Sequence, residues 1–258
     1  MVEINFLCVH IKLRGLRLAP VLIREITRRI NLAGIDEAVY TSGVITSMPI
    51  ATATCQRRIF DSYYHRALNV KKLFDIEFIP LEGTLTKMIK KHKLPKTNKL
   101  RLLVKEDWLS ACNLLNSYLQ KFKLYIQFSL EEFEHWFLSP NVICYVLGDA
   151  KVTDLWSFYI LPINILNNTK YDNINGVYSF YNVVSTMTLT SLMYDALVIA
   201  NNKGYDVYNC LNIFDNVFFD DLKIKKGNSS LNYYVKGIHT TTEPDDVGII
   251  LYFNKSYL

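Results

Sequence analysis

VICYVL (142–147), LWSFYI (155–160) and VYSFYNV (177–183) are three short runs crowded with β-branched and aromatic residues, a composition that fits a pleated, half-buried surface. Behind them Leu189, Leu192, Met193, Ala196, Leu197 and Ala200 recur at the spacing of one helical face, and Gly204 supplies a stop. YDVYNCL (205–211) reads as another strand, a short helix is expected around Phe218, and LNYYV (231–235) and VGIILYF (247–253) read as the last strands. Working backward, Ala111, Leu114, Leu115, Tyr118, Leu119 and Phe122 form an apolar helical stripe, and Ser129 with Glu132 makes a capping box ahead of Phe133, Trp136 and Phe137. Helices interspersed among strands in this way imply a mixed α/β unit built around one sheet.

Upstream of that unit, TKMIKKHKLPKTNK (86–99) is rich in lysine and ends around Pro95. It reads as a solvated connector and sets the expected boundary between residues 1–97 and 98–258. SMPIATATCQRRIFDSYYHRALN (47–69) has no strong period and reads as a long irregular excursion, whereas AVYTSGVI (38–45) is an apolar run after a helix. At the start come a strand INFLCV (4–9), a basic loop KLRGLR (12–17), and a helix opened by Pro20 that carries Leu22, Ile26 and Ile30. A strand that feeds a helix through such a loop turns unpaired N–H groups outward. With Arg14 and Arg17 adding formal charge, KLRGLRLAP (12–20) suits a pyrophosphate. An ordinary basic turn that keeps a helix soluble fits the same residues.

The chain has 258 residues, of which 50% are apolar and 21% charged, enough core material and too little charge for a disordered chain. The net charge of +5 is too weak to announce nucleic acid. No uncharged apolar run approaches the roughly 20 residues that span a bilayer, and the start lacks the order of a secretory signal, so a cytoplasmic protein is expected. Cys8, Cys55, Cys112, Cys144 and Cys210 are odd in number, scattered and without a C-x-x-C pair, which argues against a disulfide framework and a zinc site. His10, His92, His135 and His239 show no metal-ligand spacing.

EINFLCVH (3–10) with KLR, then APVLIREITRR (19–29) and AVYTSG (38–43), closely resembles the N-myristoyltransferase family. The resemblance continues in family order through YYHRALN, LEEFEHWF, VTDLWSFYILP, YSFYNV, DALVIANNKGYDVYN and LNYYV. It implies a GNAT-type acyltransferase fold, with residues 1–97 the last part of a first GNAT half and 98–258 a complete second half. It also implies transfer of a myristoyl group from myristoyl-CoA, a substrate and not a resident cofactor, to the N-terminal glycine of peptides or proteins. No metal is implied. The backbone amides of Phe6 and Leu7 match the oxyanion hole, and Arg14, Gly15, Leu16, Arg17, Leu18 and Ala19 match the CoA pyrophosphate loop. Asn5 and Thr41 match residues near the acceptor amine. Tyr63, His65 and Ser179 match the peptide groove, as do Asn228 and Leu231 in the C-terminal glycine-rich loop.

In this family the general base is the chain's own terminal carboxylate. Tyr252 stands at the family's usual last position, but the sequence continues to Leu258. Ile11 replaces a family lysine, Gly15 and Leu16 replace Ser-Lys, and Lys225, Lys226 and Asn228 alter the glycine-rich loop. There an aspartate ordinarily favours a basic acceptor residue, so two lysines would invert the local charge. The expected activity is acyl transfer; the alternative is an inactive truncated homologue that acts as a peptide-binding module.

Overall fold

The computed structural model describes residues 1–5, 7–42, 59–95, 99–166, 168–213, 220–237 and 246–250. Along the chain these form β1 (Val2–Ile4), α1 (Leu18–Leu32), β2 (Ala38–Ser42), β3 (Ile59–Ala67), α2 (Val70–Asp75) and α3 (Leu85–His92). Then come β4 (Arg101–Leu102), α4 (Trp108–Leu119), β5 (Leu124–Tyr125), α5 (Leu130–Phe137), β6 (Val142–Leu147), β7 (Asp154–Asn164) and β8 (Asn173–Val183). The last elements are α6 (Leu189–Asn202), β9 (Val207–Leu211), β10 (Lys225–Lys236) and β11 (Val247–Gly248). Two compact units result: Met1–Asp61 with Ser229–Asp246, and Ser62–Asn228 with Val247–Leu258. Among the described residues no helix is long and apolar enough to cross a membrane.

In the first unit β1 runs parallel to β2, from Val2 beside Ala38 to Ile4 beside Tyr40, and β10 runs antiparallel to β2 from Asn232 beside Ser42. Tyr40 and Tyr234 stack across that pair at 4.8 Å between ring centroids, a cross-strand contact of the kind that fixes register. None of the residues of α1 is fully buried, and Val21, Leu22 and Ile26 are exposed.

The second unit orders its strands β3-β9-β8-β7-β6-β4; the β8–β9 pair is parallel and the others are antiparallel. One face carries Trp156, Phe158, Val177 and Tyr208 against Leu192, Met193, Ala196 and Leu197 of α6. The other face packs Phe180 and Tyr181 with Phe137, and Phe128 meets Phe137 and Tyr181 edge-on. Each such ring removed from water contributes roughly 1.5–3 kcal/mol, so this unit holds the core. Asp154 at the head of β7 is fully buried and accepts from Ser185 N at 2.9 Å and Thr186 N at 3.1 Å, with a further bond from the Thr186 hydroxyl. It thereby fixes the turn before α6, whose Thr188 N-cap accepts from Ser191 N at 3.2 Å. Between Trp156 and Phe158 the β7–β8 register shifts. There the Ser157 hydroxyl donates to Tyr181 O at 2.8 Å and accepts from Tyr181 N at 3.0 Å, so one side chain does what the interrupted ladder does not.

The expected elements from residue 108 to 211 are present, including the Ser129–Glu132 capping box, with bonds of 3.1 and 2.8 Å. Several readings need correction. The first half of the lysine-rich connector belongs to the helix α3, capped by Thr84 and anchored by buried Met88. The last part of the irregular excursion is the nine-residue strand β3. The opening strand is β1 at Val2–Ile4 and does not extend through Val9; the basic loop is a 3₁₀ turn, Ile11–Leu16; and α1 begins two residues before Pro20. The helix expected around Phe218 lies outside the described residues.

Candidate active site

Two arrangements carry the candidate residues, one in each unit. In the first unit the His10 ring caps the 3₁₀ turn by accepting from Lys12 N at 3.3 Å, and Arg14 Nε donates back to Val9 O at 3.2 Å. Arg17 then takes a left-handed conformation, φ 53°, and leads directly into α1 without a side-chain cap. That conformation costs a non-glycine residue about 1–2 kcal/mol, and the missing cap costs about 1 kcal/mol more. The result is a helix N-terminus whose first amides point outward, with no side-chain oxygen on them. Beside it lies a cavity of about 360 Å³ lined by Leu7, Cys8, Val9, Arg14, Arg17, Leu18 and Ala19. Unpaired amides, a helix dipole and two guanidinium groups around one cavity favour an anion such as a pyrophosphate. Gly15 and Leu16 belong to the 3₁₀ turn, and a Cβ added at Gly15 would meet nothing within 4 Å.

Leu7 lies three residues past Ile4, the last paired residue of β1, and is exposed; among the described residues its amide has no hydrogen-bond partner. Asn5 donates its amide to the Glu3 carboxylate. Burial pushes the Glu3 carboxyl above its usual range, against the lowering effect of that bond. Thr41 sits on β2 opposite Tyr233, and Leu231 is buried near the start of the paired part of β10. Phe6, Tyr252 and Leu258 lie outside the described residues.

In the second unit β8 and β9 pair over three residues only, Gly176 with Val207 through Tyr178 with Asn209. Beyond Tyr178 the two strands part, and Ser179 is the first residue past the fork. Across β9, Asn209 also stands opposite His65 of β3, so His65, Asn209 and Tyr178 form a row on three neighbouring strands. Tyr63 meets the Tyr178 ring edge-on at 6.1 Å, and Phe78 meets the His65 ring edge-on at 5.8 Å. Gly227 lies directly against His65: a Cβ there would be 2.2 Å from the imidazole Nε2. Burial holds the His65 pKa below its ordinary value, opposed by the bond to Asn209.

The structure thus brings Tyr63 and His65 together and adds Tyr178, Asn209 and Gly227, which the sequence reading did not single out. Ser179 belongs to the opposite face of β8, in register with Phe158, and its hydroxyl accepts from Asn182 Nδ2 at 2.8 Å. Asn228 is exposed at the start of β10. Lys225 is ion-paired with Glu82, and that pairing holds the Glu82 carboxyl below the usual carboxylate range. The inversion of charge expected from two lysines is therefore reduced to Lys226.

Residues 1–55 match the family described as Myristoyl-CoA:protein N-myristoyltransferase, N-terminal domain, and residues 75–243 match its C-terminal domain. The chain belongs to the N-myristoyltransferase family. It is 44% identical over 263 residues to the glycylpeptide N-tetradecanoyltransferase of Dictyostelium discoideum and 42% identical over 261 residues to that of Plasmodium falciparum. Each match covers 97% of this chain and 62% of the relative. Among solved structures, Saccharomyces cerevisiae N-myristoyltransferase with bound myristoyl-CoA superposes with a TM-score of 0.86 at 35% identity, over 97% of this chain and 65% of that one. The fold is accordingly the mixed α/β fold of these N-myristoyltransferases, and the chain spans somewhat under two thirds of the length of the curated relatives named above.

Proposed function

We propose that this N-myristoyltransferase family member transfers a myristoyl group from myristoyl-CoA to the N-terminal glycine of a peptide or protein. The observation that carries the reading is the anion cradle between Leu7 and Ala19, inside the stretch that matches the family's N-terminal domain. In this reading Arg14, Arg17 and the first amides of α1 hold the CoA pyrophosphate, with Gly15 and Leu16 shaping the turn. The Phe6 and Leu7 amides face the thioester carbonyl. As the glycine amine attacks, the C–N bond forms, negative charge grows on the carbonyl oxygen, and the C–S bond then breaks to release CoA thiol. Each amide aimed at that oxygen is worth about 2.7–4 kcal/mol of barrier.

Asn5 and Thr41 serve the amine, while Tyr63, His65, Ser179, Asn228 and Leu231 serve the peptide. Residues 1–97 are assigned to a first GNAT half and 98–258 to the second. A glycine amine has an ordinary pKa near 7.7–8.0, so a base that removes its proton raises the rate by about 10²–10⁴; the chain's terminal carboxylate on Leu258, or on Tyr252 in a shortened form, is assigned that role. A cytoplasmic setting accords with cysteines that are free at Cys8, Cys112, Cys144 and Cys210.

The test mixes purified protein, in its full form and ending at Tyr252, with myristoyl-CoA and a glycine-initiated peptide, and follows free thiol and acylated peptide. Turnover by either form supports the reading, and faster turnover by the shortened form assigns an inhibitory role to the tail. No turnover by either form overturns it.

A further inference from the structure

Glu3 of β1 stands beside Val39 of the parallel strand β2, and Thr41, two residues on from Val39, shares that face of the sheet. Asn5 follows Glu3 at the same spacing and donates its side-chain amide to the Glu3 oxygen Oε1. The other carboxylate oxygen, Oε2, has no partner among the described residues, and neither have the Asn5 side-chain oxygen and the Thr41 hydroxyl. Glu3 is half-buried, and no cationic side chain among the described residues acts on it. A carboxylate drawn out of water without a counter-ion is costly. Three open acceptors, one of them charged, match the three N–H donors and the positive charge of a primary ammonium.

The geometry points to Glu3 as a catalytic residue: its free oxygen binds the terminal ammonium of the acceptor glycine, with Asn5 and Thr41 as the other two acceptors, and takes the first proton from that nitrogen. Between ammonium and amide the nitrogen loses two protons. The first passes to Glu3 Oε2, and the freed lone pair forms the C–N bond to the thioester carbon. The second leaves once that bond exists, to the terminal carboxylate assigned above and on to the sulfur, which keeps the electron pair of the broken C–S bond and departs as CoA thiol. Glu3 then returns its proton to water. Burial pushes the Glu3 carboxyl above its usual range, against the lowering effect of the Asn5 bond, and a carboxylate whose pKa lies nearer to that of the amine is the better base. The other titratable groups around it are Tyr233 opposite Thr41, Tyr40 and Tyr234 stacked on the opposite face, Lys236 opposite Ala38, and Glu37, which is 3.9 Å from the chain's N-terminal amine. On α1, Glu25 is closed by Arg28 and Arg29. The inference rests on the transfer reading above, which brings the amine to Asn5 and Thr41.

Two measurements on the full chain keep the inference and that reading apart. Carboxyl-carbon NMR of glutamate-labelled protein, with Glu3 assigned by its loss in Glu3→Gln, should show Glu3 titrating above the exposed glutamates. Adding a glycine-initiated peptide should lower the proton affinity of Glu3 about tenfold, whereas the same peptide with an acetylated N-terminus should leave it in place. No change with the free amine, or an equal change with the acetylated peptide, overturns the inference. The kcat/KM for thiol release from myristoyl-CoA and the free-amine peptide is then followed against pH for the wild type and Glu3→Gln, which keeps an oxygen for the Asn5 amide. Wild-type activity should fall as pH drops through the raised Glu3 pKa. The variant should be about 10²-fold slower at pH 7 and lack that acid limb. A limb that survives the substitution, or a loss below about threefold at pH 7, overturns the inference while leaving the transfer reading intact. No turnover by the wild type overturns the transfer reading, and the carboxyl titration still decides whether Glu3, Asn5 and Thr41 hold an ammonium.

Discussion

The cradle of the first unit and the fork of the second answer opposite demands. Around Leu7–Ala19 the chain leaves its polar groups unmet: a left-handed arginine, an uncapped helix and a helix with no fully buried residue. In the second unit Asn209 beside the fork is bonded to His65 and Val177, Asp154 at the head of β7 is bonded by Ser185 and Thr186, and Trp156 and Phe158 are excluded from water. The difference teaches that the cradle is shaped by what the backbone withholds from itself, whereas the fork is shaped by how firmly a few side chains are fixed.

That contrast breaks most severely in the core. Trp156→Ala should cost about 3–5 kcal/mol, read as a lowered urea midpoint. Gly148 comes next, because its φ is +100° and a Cβ would lie 2.1 Å from Lys151 O; Gly148→Ala should cost about 1–3 kcal/mol by the same measurement.

Acid should erode the second unit in a defined window. The Arg101 guanidinium holds the Asp107 carboxyl below its usual range through bonds of 2.6 and 2.8 Å. For Asp154, burial pushes the carboxyl up, but the bonds from Thr186, Ser185 and Thr153 outweigh it and the net shift is downward. Both groups have depressed folded-state pKa values. Their contribution is therefore complete above the ordinary carboxylate pKa of about 3.9 and is lost as pH falls through the lowered values. Urea midpoints between pH 6 and 2 should fall in that range, and Asp107→Asn should flatten the curve.

The first unit should respond weakly in stability and strongly in binding. Arg17→Gly removes a charge and relieves the left-handed strain, so stability should hold or rise by up to about 1 kcal/mol while CoA affinity, read by calorimetry, drops about tenfold. A parallel loss of both would mean that Arg17 holds the turn and does not serve the cradle. Ile26→Ser, on the exposed face of α1, should stay within about 0.5 kcal/mol of wild type; a larger loss would show that the face is covered in solution.

Much of the second unit is legible in the sequence because its strands bury apolar faces and its helices carry uninterrupted stripes. β3 is not legible, since it places His65 and a buried Arg66 where alternation would show apolar residues. Burial lowers the Arg66 pKa to about 10, and its Nη2 donates to His92 O at 3.3 Å. α3 is hidden because lysines surround its one fully buried residue, Met88. The 3₁₀ turn is too short to show any period. At the site, single residues matched from the family locate Tyr63 and His65, but the Asn209 partner depends on strand pairing across 144 residues, and only the folded sheet reveals it. Ser179 illustrates the reverse: its position in the chain beside Tyr178 is evident, while the face it occupies follows from the register with Phe158.

The hydroxyl of Ser157 has a consequence for how substitutions in this chain should be ranked. By size and polarity scales, serine to alanine is among the mildest exchanges available. At this one position the lost oxygen would strand both the amide and the carbonyl of Tyr181 inside the protein, two debts from a single atom. Orthologues that tolerate alanine there would need β8 to shed the extra residue it carries opposite Ser157, with every side chain beyond the bulge re-aimed.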